Sequence, residues 1–290
     1  MKNPFCVFFL IFCILNTPEK KIIAQDTSTR SNELPKYLRD RGTGMPTSFP
    51  GTYIRKNELL IYPFFEYYLD NNQEYKPGEF GYGLEEDFRG RYRASEELLL
   101  ISYGITDRLA IEIEAATIQA SLYKSGKDPS TMVPRLSESG LGDVQTQFDF
   151  RWLKEGMNRP ELFSYFEIDY PFQKHRKLIG TPDWEFKLGT GLIKGFDFGT
   201  IKTRISLEYP VEEGKIIMGE YAIEYLKKIS DRWKVYAGVE GEQDEVELIT
   251  EVQWYLKQTI FLKVNNSFGL TSKATDWAPE IGVVFSFRKY

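Results

Sequence analysis

The chain has very little cysteine and histidine. Its 290 residues include two cysteines and one histidine. Both cysteines, Cys6 and Cys13, lie in an N-terminal segment that we predict to be removed, which excludes a disulfide framework and thiol chemistry in the mature protein. The histidine, His175, lies among basic residues in a predicted loop and is expected to be solvated. No histidine accompanies a serine or a carboxylate pair, so we predict no enzyme, no catalytic residue, no metal site and no cofactor.

Two other features are also missing from the sequence. There is no excess of positive charge, since the formal net charge is −5, and a nucleic-acid partner is therefore not expected. Beyond the N-terminus there is no apolar run long enough for a transmembrane helix. The mean hydropathy of −0.38 would by itself suggest a soluble protein.

The N-terminus has the composition of an export signal. Lys2 precedes an apolar stretch of eleven residues, Phe5 to Leu15, and Ala24-Gln25 before Asp26 is a plausible cleavage site. We therefore predict a signal peptide over residues 1–25. A short membrane anchor is the alternative, but eleven apolar residues are too few to span a bilayer.

Residues 26–52 have no clear periodicity and contain Pro35, Pro46 and Pro50. We predict an extended periplasmic lead-in segment here, with a short helix possible over Pro35 to Arg41.

Alternation of apolar and polar residues begins near Glu58 and is clearest around the tight turn that starts at Gly104. After that turn, Leu109, Ile111 and Ile113 share one face of a strand, and Glu112 and Glu114 share the other. In the arm before the turn, Leu98 to Ile101 is apolar on both faces, which leaves its orientation open. Long loops are expected over Asp70 to Arg91 and over Tyr123 to Gly142.

The same unit recurs along the chain and gives about twelve predicted strands of roughly ten residues, which is the length that a tilted strand needs to cross a bilayer. Short and long links alternate through the first half. We therefore predict an all-β fold, an antiparallel up-and-down transmembrane β-barrel of about 12 strands over residues 53–290. A soluble β-sandwich, which also alternates, is the alternative.

Aromatic residues on the apolar faces fall at the ends of the predicted strands. Rings prefer the headgroup level of a bilayer, so two such bands are expected on a membrane barrel. The predicted interface aromatics are Trp152, Tyr225, Trp233, Trp254 and Phe287 at one end, and Tyr170, Phe172, Trp184, Tyr209 and Phe268 at the other.

The opposite face of the strands is charged and should line the lumen. Its candidate residues are Glu112, Glu114, Asp149, Arg151, Glu167, Asp169, Glu185, Lys187, Lys202, Arg204, Glu220, Glu224, Lys234, Glu240, Glu247, Glu251 and Lys263. Charges facing inward require water or mutual pairing. A hydrated pore that favours cations and a salt-bridged plug are both compatible with this pattern.

Three stretches carry a family resemblance. Tyr103-Gly104-Ile105-Thr106-Asp107-Arg108-Leu109, Ser139-Gly140-Leu141-Gly142-Asp143-Val144 and Leu188-Gly189-Thr190-Gly191 resemble the outer-membrane family named for the MetA pathway of phenol degradation. The resemblance covers roughly residues 58 to 290. It implies a transporter-like outer-membrane barrel associated with uptake of aromatic or other hydrophobic compounds, and it implies no catalytic residues. The charged inner face argues against a channel for apolar solutes.

These observations predict a passive channel or transporter for small solutes, hydrophobic or aromatic compounds included, in the outer membrane of a Gram-negative-type bacterium. The alternative is a non-transporting surface barrel that displays its extracellular loops for binding or adhesion. The expected partners are outer-membrane lipid, the barrel-assembly machinery and a small-molecule solute.

Overall fold

The computed structural model describes residues 34–288, and most of them form twelve antiparallel strands that close into a barrel. Two short strands, β1 (Met45–Pro46) and β2 (Tyr53–Ile54), pair with each other and precede the barrel. The barrel strands are β3 (Glu58–Tyr75), β4 (Phe88–Gly104), β5 (Leu109–Tyr123), β6 (Arg135–Leu153), β7 (Glu161–Tyr170), β8 (Glu185–Gly195), β9 (Thr200–Pro210), β10 (Ile217–Lys228), β11 (Trp233–Glu242), β12 (Glu245–Lys257), β13 (Ile260–Gly269) and β14 (Trp277–Arg288).

Each strand pairs with the next one along the chain, and β14 pairs with β3 to close the barrel. The predicted fold class is therefore confirmed. The predicted signal peptide, residues 1–25, lies outside the described residues and stays a prediction. None of the helices between residues 34 and 288 is long and apolar enough to cross a membrane.

The alternating pattern divides the strands into an inner and an outer face. Glu112 is 2% exposed, whereas its neighbour Ile113 is 46% exposed, which places the carboxylate inside and the isoleucine outside. The structure also settles the arm that is apolar on both faces. Leu98 and Leu100 are buried inside the barrel, and the residues next to them, such as Leu99, face outward.

The barrel wall is taller on one side. Strands β3 to β6 have 18, 17, 15 and 19 residues, whereas the other barrel strands have 10 to 13. The predicted loops over Asp70 to Arg91 and Tyr123 to Gly142 were wrong in their bounds, because strand continues to Tyr75, resumes at Phe88 and begins again at Arg135. Where a strand rises above the bilayer, neither face needs to be apolar, so the alternation that marks the membrane-spanning part disappears.

The segment before the first barrel strand lies inside the barrel. A single 3₁₀ turn, η1 (Lys36–Leu38), occupies part of the stretch where a short helix was expected. Residues 41–55, which we call the luminal segment, then run into the lumen, and Met45 and Ile54 are almost fully buried there. The sequence did not predict this placement.

An apolar cluster joins the luminal segment to the inner face of the five neighbouring strands β13, β14, β3, β4 and β5. The cluster contains Met45, Ile54, Leu60, Tyr62, Phe64, Leu98, Leu100, Ala110, Ala116, Phe261 and Val284, with Phe49 packed against it. The Phe49 ring makes edge contacts with the rings of Tyr62 and Phe64, at centroid distances of 5.2 Å and 4.8 Å. This part of the inner wall is covered by the protein itself and is not available to solvent.

The chain crosses the rim of the barrel at two glycines. A Cβ on Gly104 would collide with the carbonyl of Arg55, and a Cβ on Gly195 would collide with the carbonyl of Tyr37. The N–H of Asn57 donates to the Gly104 carbonyl at 2.7 Å. Only glycine allows this close approach of two backbones, so these two positions fix the entry path of the luminal segment.

Candidate functional site in the barrel lumen

The luminal segment is attached to the barrel wall by charged and polar side chains. The Lys263 ammonium donates to the Pro50 carbonyl at 3.0 Å and pairs with Glu251 at 3.0 Å, and both side chains are 0% exposed. On β5, four strands further round the barrel, the Ser48 backbone N–H donates to Glu112 at 3.1 Å, and the Ser48 hydroxyl donates to the same carboxylate. These contacts connect the segment to separate parts of the barrel wall.

An amide extends this attachment. Gln253 donates to the Gly51 carbonyl at 3.0 Å and to Glu251 at 2.7 Å. Its side chain lies on β12, next to Lys263 in the register with β13. Two neighbouring strands therefore present donors to the backbone carbonyls of Pro50 and Gly51, which are not paired within a barrel strand.

A buried ionic cluster holds the beginning of the segment. Arg41 pairs with Glu155 at 2.9 Å and with Glu161 at 2.8 Å, and Arg151 pairs with Glu161 at 2.9 Å. Both arginines also donate to the Gly44 carbonyl. Burial by itself lowers the pKa of Arg41, but the carboxylates of Glu161 and Glu155 outweigh it and raise the pKa above its usual value. Arg41 is therefore a permanent cation that fixes the segment to the turn between β6 and β7.

Beyond the luminal segment, toward the end of the barrel that carries the long loops, the lumen widens into a cavity of about 440 Å³. We call this cavity the acidic vestibule. Ser48, Phe49 and Pro50 form its floor. Its wall contains seven glutamates and one arginine; the glutamates are Glu114, Glu167, Glu220, Glu240, Glu242, Glu245 and Glu247, and the arginine is Arg204.

One side of the vestibule is a network of ion pairs. Arg204 pairs with Glu220 at 2.9 Å, with Glu224 at 3.3 Å and with Glu240 at 2.5 Å. Lys187 pairs with Glu220 at 2.7 Å and also with Glu167 at 3.1 Å. These contacts run across β7 to β11 and neutralise much of that wall.

The other acidic residues of the vestibule have no such partner. Among residues 34–288, no lysine or arginine forms an ion pair with Glu114, Glu242, Glu245 or Glu247. The vestibule therefore has an uncompensated excess of carboxylates. A salt-bridged wall and an acidic cavity therefore lie side by side in the lumen.

A second cavity, of about 410 Å³, lies on the other side of the luminal segment, at the rim that carries the chain ends. Its lining includes Arg39, Arg41, Lys228 and Lys234. Residues 51–53 line this cavity, and residues 48–50 line the vestibule. The luminal segment thus separates two solvent-accessible spaces.

All seventeen predicted lumen residues lie on the inner face of the barrel. Glu112, Asp149, Arg151, Glu167, Lys187, Lys202, Glu224, Glu251 and Lys263 are buried; Glu114, Asp169, Glu185, Arg204, Glu220, Lys234, Glu240 and Glu247 are half-buried. Sequence reasoning missed Arg41 and Glu155, because both lie in stretches without alternation. The prolines and glycines of residues 42–51 gave no signal that could have placed them in the lumen.

Eight of the ten predicted interface aromatics lie on the outer face of barrel strands, whereas Phe172 and Trp184 lie in the connection between β7 and β8. Trp152, Phe172, Trp184, Tyr209, Trp233, Trp254, Phe268 and Phe287 are exposed, and Tyr170 and Tyr225 are half-buried. Several of these rings touch: Trp233 and Trp254 stack at 5.7 Å, and Tyr170 meets Trp184 at 5.1 Å. Between the bands, the outer face presents apolar residues such as Ile223 and Leu188.

His175 is exposed in the connection between β7 and β8. In the part of the chain that the structure describes, no three histidine, cysteine, aspartate or glutamate side chains lie close enough together to hold a metal ion.

Comparison with known proteins finds similarity at the level of structure. No family model matches the sequence, and no curated protein matches it. An outer membrane channel from Pseudomonas putida F1 superposes with a TM-score of 0.60 at 11% identity, over 83% of this chain and 99% of that one. The chain has the fold of an outer-membrane β-barrel. The translocator domain of the autotransporter NalP from Neisseria meningitidis is also similar, with a TM-score of 0.51 at 9% identity over 79% of this chain and 88% of that one.

Identities this low show the fold and leave the substrate open. Because no family model matches, the resemblance to the phenol-degradation family stays a prediction.

Proposed function

We propose that the protein is an outer-membrane channel for small polar or cationic solutes, and that the luminal segment closes its passage. The observation that carries the proposal is the arrangement of two aqueous cavities, of about 440 Å³ and 410 Å³, on either side of residues 48–53. A closed barrel with an apolar outer face fits a bilayer, since it leaves no unpaired strand edge in the hydrocarbon. The proposal requires no catalytic step.

The proposed orientation places the rim with the chain ends in the periplasm and the long loops outside. The links at the first rim have two to seven residues, whereas three links at the opposite rim, 76–87, 124–134 and 171–184, are longer. Short periplasmic turns and longer extracellular loops are typical of outer-membrane barrels. The acidic vestibule then opens toward the outside.

The vestibule favours cations over anions. Seven glutamates and one arginine surround it, and a cleft lined by one sign of charge raises the local concentration of the opposite sign. The apolar part of the inner wall, by contrast, is covered by Phe49 and Ile54. An aromatic or other hydrophobic solute, as the family resemblance implies, would meet carboxylates in the open part of the lumen. We therefore propose polar or positively charged solutes.

Passage of a solute requires movement of the luminal segment. A planar-bilayer recording of the wild-type protein and of a variant without residues 43–54 tests this directly. We expect the variant to conduct at least several times more current, with a reversal potential in a KCl gradient that indicates K⁺ preference. The control is Lys154→Gln, which changes an exposed charge at the same rim. Absence of conductance in both proteins, or anion preference in the shortened one, would contradict the proposal.

The closed lumen and the tall wall of β3 to β6 support a second function, display of a surface for binding or adhesion. The connection 171–184 packs against this wall through Ile179. The Ile179 side chain is 4% exposed and packs with Ala94 and Ala120. If display is the function, deleting residues 43–54 would leave the barrel closed to ions, and shortening the 76–87 and 124–134 connections would abolish binding to cells or matrix.

A further inference from the structure

The outer face of β4, β5 and β6 carries a group of arginines just above the lipid-facing belt. Arg93 pairs in register with Leu69, and Leu69 pairs with Trp277 on β14. Leu69 is the last apolar residue on the outer face of β3, and the ring of Trp277 contacts that of Tyr67 at 6.5 Å. Arg93 therefore adjoins the aromatic band at the long-loop end of the barrel.

Arg91 and Arg135 lie further along the same face. Their guanidinium carbons are 4.4 Å and 5.3 Å from the centroid of one ring, that of Tyr123. Arg135 also donates to the Ser121 hydroxyl at 2.9 Å, and that hydroxyl lies 3.0 Å from the hydroxyl of Ser137. The two cations share one aromatic ring, and an anion bound beside them would reduce the repulsion between them.

These three arginines lack acidic partners. Among residues 34–288, no carboxylate forms an ion pair with Arg91, Arg93 or Arg135, whereas Arg89 on the same strand is paired with Glu74. The Nε atom of Arg91 is buried and has no hydrogen-bond partner. Arg93 and Arg135 line a depression of about 450 Å³ together with hydroxyl and amide groups of Ser95, Gln119 and Ser139. Glu138 also lines it, and its carboxylate accepts from the backbone N–H groups of Lys177 and Leu178. We call it the basic depression.

We propose that the basic depression binds the phosphate groups of a phosphorylated glycolipid in the outer leaflet. Guanidinium groups match phosphate geometry, and hydroxyl and amide donors can satisfy its remaining oxygens. The position supports a lipid over a free ion, because the depression is continuous with the apolar belt that would contact the acyl chains of the same molecule. The inference rests on the proposed orientation, with the long loops outside, and it does not depend on whether the barrel conducts.

The test uses the full chain in detergent and measures binding of bis-phosphorylated lipid A by native mass spectrometry. The variant is Arg91→Gln/Arg93→Gln/Arg135→Gln. The control, Arg108→Gln/Arg232→Gln/Lys257→Gln, removes three exposed cations at the opposite rim. We expect the wild type and the control to bind lipid A with the same affinity. The variant should bind it at least about tenfold more weakly, because it loses one or two charge-assisted hydrogen bonds.

Two further probes identify the chemistry. Dephosphorylated lipid A should bind the wild type as weakly as bis-phosphorylated lipid A binds the variant, and inorganic phosphate at the same concentration should not compete. Equal binding of the two lipid forms, an unchanged variant or an equally weakened control would overturn the proposal, and competition by inorganic phosphate would overturn the lipid assignment. If the triple variant does not fold, Arg93→Gln alone, with its smaller expected loss, takes its place.

Discussion

Replacing Lys263 by methionine should detach the luminal segment. Lys263 is fully buried, donates to the Pro50 carbonyl at 3.0 Å and pairs with Glu251 at 3.0 Å. A hydrogen bond from a charged donor contributes about 1.5–3 kcal/mol. Its loss should therefore increase the population of the detached segment by roughly 10- to 150-fold, since about 1.4 kcal/mol corresponds to a factor of ten.

The same substitution leaves the Glu251 carboxylate buried without its cation. Breaking a buried pair by removing one partner costs about 3–5 kcal/mol, so Lys263→Met should also lower the temperature at which the folded barrel unfolds on a detergent gel. In Lys263→Met/Glu251→Gln both charges are gone, and much of the barrel stability should return. The Pro50 carbonyl still lacks its donor in the double variant, so the segment should remain detached.

Single-channel recording measures the detachment of the luminal segment, and the detergent gel measures the unfolding temperature of the barrel. Lys263→Met and the double variant should both open more often than the wild type, and only the single variant should unfold markedly earlier. Lys154→Met removes an exposed pair with Asp107 at 3.5 Å and should change neither readout by much. Wild-type gating in both Lys263 variants would refute the assignment of this contact as an anchor of the segment.

Three further predictions concern stability. Arg41→Ala should destabilise the barrel by less than the about 3–5 kcal/mol of a fully broken buried pair, because Glu161 keeps Arg151 and Glu155 keeps Lys194 at 3.1 Å; urea unfolding in detergent measures the loss. Trp233→Ala and Trp254→Ala should show a coupling of about 0.5–1.5 kcal/mol in a double-mutant cycle, since the rings stack at 5.7 Å; additive effects would contradict this. Ile113→Arg should cost about 2–4 kcal/mol in folding into lipid vesicles and Ile113→Ala much less, whereas equal costs would show that this side chain does not face lipid.

The barrel could be predicted from the sequence because its main determinant is local. A strand that separates lipid from a polar lumen must alternate, and residues such as Leu109 to Glu114 report that alternation directly. The side of each candidate lumen residue follows from the same period. The lengths of β3 to β6 could not be predicted, because above the bilayer the constraint that produces the pattern no longer acts.

The luminal segment could not be predicted for a different reason. Its contacts join residues distant in sequence: Arg41 meets Glu155 and Glu161, which are 114 and 120 residues away, and Lys263 reaches Pro50 over 213 residues. Three wall side chains, Arg151, Gln253 and Lys263, donate to backbone carbonyls of the segment, and every residue has such a carbonyl. The donors of the segment itself, Arg41 and Ser48, lie in a stretch without alternation. A side-chain pattern therefore cannot distinguish a segment that fills a barrel lumen from one that lies outside the barrel.

The connection between the luminal segment and β3 is short, and this has a kinetic consequence. Residue 55 ends the segment and Glu58 begins the wall, where the Arg55 N–H donates to the Glu58 carboxylate at 2.8 Å. The segment therefore behaves as a ligand tethered beside its own binding site, at an effective concentration of the order of millimolar. A synthetic peptide of residues 41–55, added at the rim that carries the chain ends, would need to reach that concentration to compete with the luminal segment. Any opening should end quickly, because the luminal segment rebinds to the wall.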